Sequence, residues 1–285
     1  MKHLVLVITI CLLGSCAPNK PEATEVAEKN RKESYYAAPQ SLRDWVDARA
    51  GDGNEAVHWV SDGYVYDYPS GKKLFGLIGF DSSIAIWPDS VGGPVTHLTR
   101  KTFAYTDLET GEVIKEHNGV KVEPIAYPYQ MITYRLEDNR IFGDVEQGVG
   151  DRIQKIPSVD GIPIRKLGDS YIFNAQVFLD FPLPTGAQYQ AWENYDFFIQ
   201  PEGKVEEPHQ MTWQRYGKLA KWAGHEGYVI TRLHSWRVES QDEFPAQMLA
   251  WAKAEKPGWL TPPADVAEVR AIQQGEHSLP GWGGK

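Results

Sequence analysis

An extended reading of Tyr228 to Val238 places Arg232 and His234 on one face with Tyr228, Ile230, Trp236 and Val238. An imidazole and a guanidinium among apolar neighbours are costly unless something pairs with them. Three settings supply that pairing. In a cavity, His234 can serve as general acid or base while Arg232 stabilises a developing anion, as in a cofactor-free isomerisation, elimination or hydrolysis. The same groups can orient a small, partly apolar or aromatic ligand. In a packed core they simply meet a carboxylate. A second face of this kind runs through His209, Met211, Trp213 and Arg215, and Tyr134 lies beside Arg135. The candidate catalytic residues are therefore His234, Arg232 and Arg215. The candidate ligand-binding residues are Tyr64, Tyr66, Tyr134, Trp213 and Trp236. Aromatic residues also pack β cores well, and exposed ones suit a surface glycan binder.

These residues need strands to position them. Tyr64, Tyr66 and Tyr68 alternate, and β-branched and aromatic residues continue from Phe75 to Trp87 and from Thr96 to Tyr105. Asn118-Gly119, Asp138-Asn139 and Gly168-Asp169 mark turns. The longest clean alternation is Tyr171, Phe173, Ala175, Val177, Leu179 and Phe181. Short strands joined by turns, without intervening helices, predict a mainly β domain: a curled antiparallel sheet or barrel of lipocalin-like kind. Short helices are expected at its ends, over Ser41 to Arg49, around Phe244 to Ala252, and over Asp265 to Gln274.

Other chemistry lacks its residues. No P-loop, HExxH, GxSxG or Rossmann glycine pattern is present. Gly168-Asp169-Ser170 falls at a hairpin rather than a strand-to-helix elbow. The histidines are dispersed, with no pair at i, i+2 or i+4, so neither metal nor cofactor is expected. The 285 residues carry 29 Lys and Arg against 38 Asp and Glu, and this charge of −9 disfavours nucleic acid as a partner. The expected partners are a small molecule and, through a lipid anchor, a membrane.

The anchor is read from the N-terminus. Lys2 and His3 precede an apolar run from Leu4 to Leu13, too short to span a bilayer and shaped like a secretory leader. Leu13-Gly14-Ser15-Cys16 resembles a bacterial lipobox, with Cys16 as the lipidated residue. Residues 1–15 are then a signal peptide, 16–38 a lipidated polar tether, and 39–285 a single β-rich domain. Of the two cysteines, Cys11 leaves with the leader and Cys16 becomes the anchor, so no thiol remains for catalysis, metal or disulfide. Ala17 after Cys16 favours the outer membrane by resemblance to lipoprotein sorting.

One further resemblance covers residues 40 to 275. Lys73 to Phe80, Leu98-Thr99-Arg100-Lys101 and Tyr105 to Val113 are similar, in order and spacing, to bacterial proteins of the domain-of-unknown-function family numbered 1838. His234-Ser235-Trp236 and the Trp251-Ala252 helix are similar as well. The chain departs from the family at His117-Asn118-Gly119 and at Tyr127-Pro128-Tyr129-Gln130. The resemblance implies a fold and an export habit, not a reaction.

Overall fold

Alternation along the chain becomes a wall with two faces. The computed structural model describes residues 20–182, 188–200 and 208–281. The expected leader and lipidated Cys16 lie outside the described residues. In chain order the elements are α1 (Lys20–Ala37), α2 (Gln40–Ala50), β1 (Val57–Tyr68), β2 (Lys73–Ile86) and β3 (Val95–Thr106). A two-residue hairpin of β4 (Glu116–His117) and β5 (Val120–Lys121) follows, then β6 (Ile125–Glu137), β7 (Arg140–Gln147), β8 (Gln154–Ile156) and β9 (Ile162–Leu167). The chain continues through β10 (Ser170–Pro182), β11 (Gln188–Ile199), β12 (Gln210–Lys218), β13 (Tyr228–Val238), α3 (Ala246–Glu255) and α4 (Val266–Gln273).

The wall is a closed ten-stranded antiparallel barrel, ordered β6-β3-β2-β1-β13-β12-β11-β10-β9-β7 and returning to β6, with β8 added along β7. Its turns are those the sequence signals: Asn118 and Gly119, and likewise Asp138 and Asn139, take the positive φ that such hairpins demand. The seam is narrow. β9 holds β7 through two residue pairs, Arg140↔Pro163 and Ile141↔Ile162, and holds β10 only over Ser170 to Phe173. Among the described residues, nothing pairs with that edge of β10 from Asn174 to Pro182.

Eight strands enclose a space that side chains just fill, and ten enclose more. The surplus at one end is taken by α2, which enters the barrel. Pro39 precedes it and Gly51, at φ 75°, ends it by donating to the Asp47 carbonyl. Trp45, only 2% exposed, lies against Phe173 and Phe197 at 4.9 Å and Tyr134 at 5.8 Å, and Trp59 Nε1 donates to the Ala48 carbonyl at 3.2 Å.

The C-terminal helices do the opposite and cover the outer wall of β1, β2, β3 and β6. Phe244, Met248, Trp251, Trp259, Val269 and Ile272 pack on Val60, Phe80, Leu98 and Met131. Arg100 fixes this cover: it points outward from β3, pairs with Glu268, and donates to the carbonyls of Thr261 and Pro262 at 3.1 Å.

α1 shows most of the segment expected as a polar tether to be helical. The segment lacks an apolar stripe, but it is rich in the strong helix formers Glu, Lys and Ala, and Lys32 pairs back one turn to Glu28 at 2.9 Å. Its C-terminal end is docked by Tyr35, edge-on to Trp87 at 5.0 Å with its hydroxyl donating to Asp47 at 2.7 Å.

Removing the plug's anchor tests this packing. Trp45→Ala is expected to cost about 3–5 kcal/mol, read as a lower urea midpoint at unchanged slope. Phe178→Gln, on the exposed outer wall, is expected to stay within about 0.5 kcal/mol.

Candidate functional site

Directly paired residues on neighbouring strands share a face, so the register gives the lining. Inward positions are Asp81 and Ser83 on β2; His97, Thr99, Lys101, Phe103 and Tyr105 on β3; Glu193 and Tyr195 on β11; and Trp213 and Arg215 on β12. β6 contributes Tyr127, Gln130 and Tyr134. Thr231, Leu233 and Ser235 face in from β13, where Ser235 bonds Ser61 of β1 at 2.7 Å.

Two charged clusters occupy the space below α2. In the first, Asp81 Oδ2 lies 3.8 Å from both Arg49 Nη2 and Lys101 Nζ, so one carboxylate serves two cations. Arg49 comes from the last turn of α2 and lies over Phe197 at 4.9 Å and Trp59 at 5.4 Å. In the second, Glu193 accepts from the Tyr195 hydroxyl at 2.5 Å and from Trp213 Nε1 at 3.4 Å. Arg215 Nε approaches it at 3.5 Å while Nη2 donates to the Tyr189 hydroxyl at 2.6 Å. Trp213 stacks with Phe103 at 6.3 Å and with Tyr195 at 6.2 Å. Gly79 makes that stack possible: a Cβ there would lie 2.2 Å from the Phe103 ring.

Lys101, Glu193 and Arg215 point into the barrel, yet their side chains keep 18%, 14% and 16% exposure. These inward charges are therefore enclosed by the wall without being fully sealed from solvent. The unpaired edge of β10 flanks the same region, since Val177 on β10 pairs with Glu193.

Enclosure sets the protonation states. Burial lowers the Lys101 ammonium below its ordinary value, opposed by Asp81 and reinforced by Arg49. Burial also lowers His97 well below the usual range, with Arg49 and Lys101 adding repulsion. Burial, then Glu193, raises the phenols of Tyr127 and Tyr195. Both phenols are neutral hydrogen-bond donors at neutral pH.

The sequence candidates separate into two groups. Trp213, Arg215 and Tyr134 face the interior, with Tyr134 at the plug end, its hydroxyl 3.2 Å from His97 Nδ1. Tyr64, Tyr66, Arg232, His234 and Trp236 do share a face, but it is the outer wall. This corrects the expectation that they line a cavity with Arg215. His234 is exposed and bonds Gln210 at 3.3 Å, and among the described residues no carboxylate is bonded to it. On β13 the inward side carries Val229, Thr231, Leu233 and Ser235, with Val229 and Leu233 packed in one apolar cluster with Val65 and Leu77. Asp81, Lys101, Glu193 and Tyr195 were missed. Their signal was one charged residue interrupting an inward aromatic row, as in Glu193-x-Tyr195-x-Phe197.

Comparison of the chain with protein-family models, curated proteins and solved structures gives no match.

At the plug end, His209 is 8% exposed and its Nδ1 accepts the Gln200 N–H at 3.2 Å. Burial, with Arg237 adding, lowers it from 6.5 to about 4. It is therefore neutral when folded but protonates near 6.5 when unfolded, so its stabilisation is complete above 6.5 and lost as pH falls toward 4. Wild type should lose on the order of 2–3 kcal/mol through this group between pH 7 and 4.5. Urea midpoints at the two pH values check this: His209→Gln should lack that share of the acid sensitivity.

Proposed function

We propose that the barrel binds a small, partly apolar or aromatic molecule in its lumen, against Trp213, Tyr195, Glu193 and Arg215. The observation that carries this reading is the pairing of enclosure with water access at Glu193, Arg215 and Lys101. Aromatic faces supply apolar area and the fixed charges supply orientation, the usual composition of a small-molecule pocket. Catalysis with His234 as acid or base in the same cavity does not fit, because His234 and Arg215 project from opposite faces of the wall. Thermal-shift screening with aromatic fragments, followed by calorimetry, tests the reading. Trp213→Ala or Arg215→Ala is expected to weaken binding about 10- to 100-fold, while His234→Ala and Arg232→Ala leave it unchanged. Equal loss in the outer-wall variants would overturn it.

A second reading has its own observation. On the outer wall Tyr216 and Tyr228 stack with rings 8° apart, at a groove of about 530 Å³ lined by Tyr68, Trp192, Gln214, Arg215, Tyr216 and Ile230. Parallel aromatic platforms next to amides suit a surface glycan binder. The same wall carries an Asn174, Asn194 and Asp196 hydrogen-bond cluster, which is unsuited to contact with lipid hydrocarbon.

We further propose, from the N-terminal residues alone, a lipid-anchored envelope protein, with Ala17 after Cys16 favouring the outer membrane. Kinship with the 1838 family is a proposal carried only by the likeness of Lys73 to Phe80, Leu98 to Lys101 and Tyr105 to Val113, since no family model matches. With α1 helical over 18 residues, about 27 Å of the link beyond Cys16 is rod rather than coil. Cys16→Ser, expressed in a bacterial host with labelled palmitate, should lose both the label and membrane retention.

A further inference from the structure

The strongest unexplained feature is a group of inward donors that, among the described residues, are only partly satisfied. β3 presents Thr99 and Lys101 to the lumen on successive inward positions. Thr99 is fully buried and its hydroxyl has no hydrogen-bond partner. Arg49, 5% exposed, leaves Nη1 without a partner as well. Among the described residues the Lys101 ammonium pairs with Asp81 at 3.8 Å, which is ion-pair contact but too long for a hydrogen bond. Buried donors left unspent are costly, and folds keep them where a ligand spends them.

We propose that the molecule held in the lumen is an aromatic monocarboxylate whose carboxylate sits between Arg49, Thr99 and Lys101, an inference that rests on the lumen being a binding site. Charge sets the valence. The two clusters contain three cations, Arg49, Lys101 and Arg215, against two carboxylates, Asp81 and Glu193. One negative charge balances them, whereas a dianion such as a phosphate monoester leaves an uncompensated charge in an enclosed site. Geometry sets the orientation. Arg49 is held between the Phe197 and Trp59 rings and the Asp81 carboxylate, so its guanidinium is positioned before any ligand arrives. Trp213 and Tyr195 offer ring faces for the body of the ligand.

Calorimetry on the full chain with three probes tests this: 4-bromobenzoate, the neutral isostere 4-bromobenzamide, and phenyl phosphate. The benzoate is expected to bind at least about tenfold tighter than the amide, as for charge-assisted hydrogen bonds, and tighter than the phosphate. Lys101→Met should erase the preference while leaving the amide affinity unchanged. Thr99→Val, which preserves shape and all charges, should weaken the benzoate alone. Equal binding of benzoate and amide would overturn the carboxylate site yet leave lumen binding standing. Tighter binding of phenyl phosphate would overturn the monoanion assignment. No binding of any probe would overturn both.

Discussion

A ten-stranded barrel encloses more volume than its own inward side chains can fill, and this surplus governs the molecule. One end is solved by inserting α2, whose Trp45 meets aromatic rings from β6, β10 and β11. Below the plug the strands present charged and phenolic side chains to the interior. Arg49 stands at the boundary, packed against aromatic rings on one side and ion-paired with Asp81 on the other. The plug therefore does two things: it closes the core and it adds the Arg49 guanidinium to the one that β12 supplies as Arg215.

The wall is buried twice over part of its circumference. From β1 through β3 and β6 the outer face lies beneath α3 and α4, and from β13 to β10 it meets solvent. β3 shows the consequence in four consecutive residues. Leu98 and Arg100 face the C-terminal cover, where Arg100 spends its donors on Glu268 and two carbonyls. Thr99 and Lys101 face the lumen, where theirs remain unspent. Identical chemistry on one strand is structural on one face and available on the other.

That double burial explains why the site was only partly legible. Period-two alternation separates inside from outside when one face is wet, as on β10, where Tyr171 and Phe173 are buried and Gln176 and Phe178 exposed. On β3 both faces are buried, so both read as mixed. On β13 the pattern was clear but its sense was not. The aromatic and charged set from Tyr228 to Trp236 looked like a cavity wall, yet it is Val229, Thr231, Leu233 and Ser235 that face inward there. α1 escaped notice for a different reason: helix propensity and a Glu28–Lys32 pair, not an apolar stripe, carry most of its length.

The sequence by itself determined the mainly β class, the turns at Asn118-Gly119 and Asp138-Asn139, and the helices that bracket the sheet. Each follows from interactions within a few residues: φ preferences, alternation and capping. Only the tertiary structure decided that ten strands close, that α2 fills the end of the barrel, and that Lys101, Asp81 and Arg49 converge. Those depend on contacts between residues far apart in the chain, and on which face of each strand closure turns inward. Local preferences do not encode that choice.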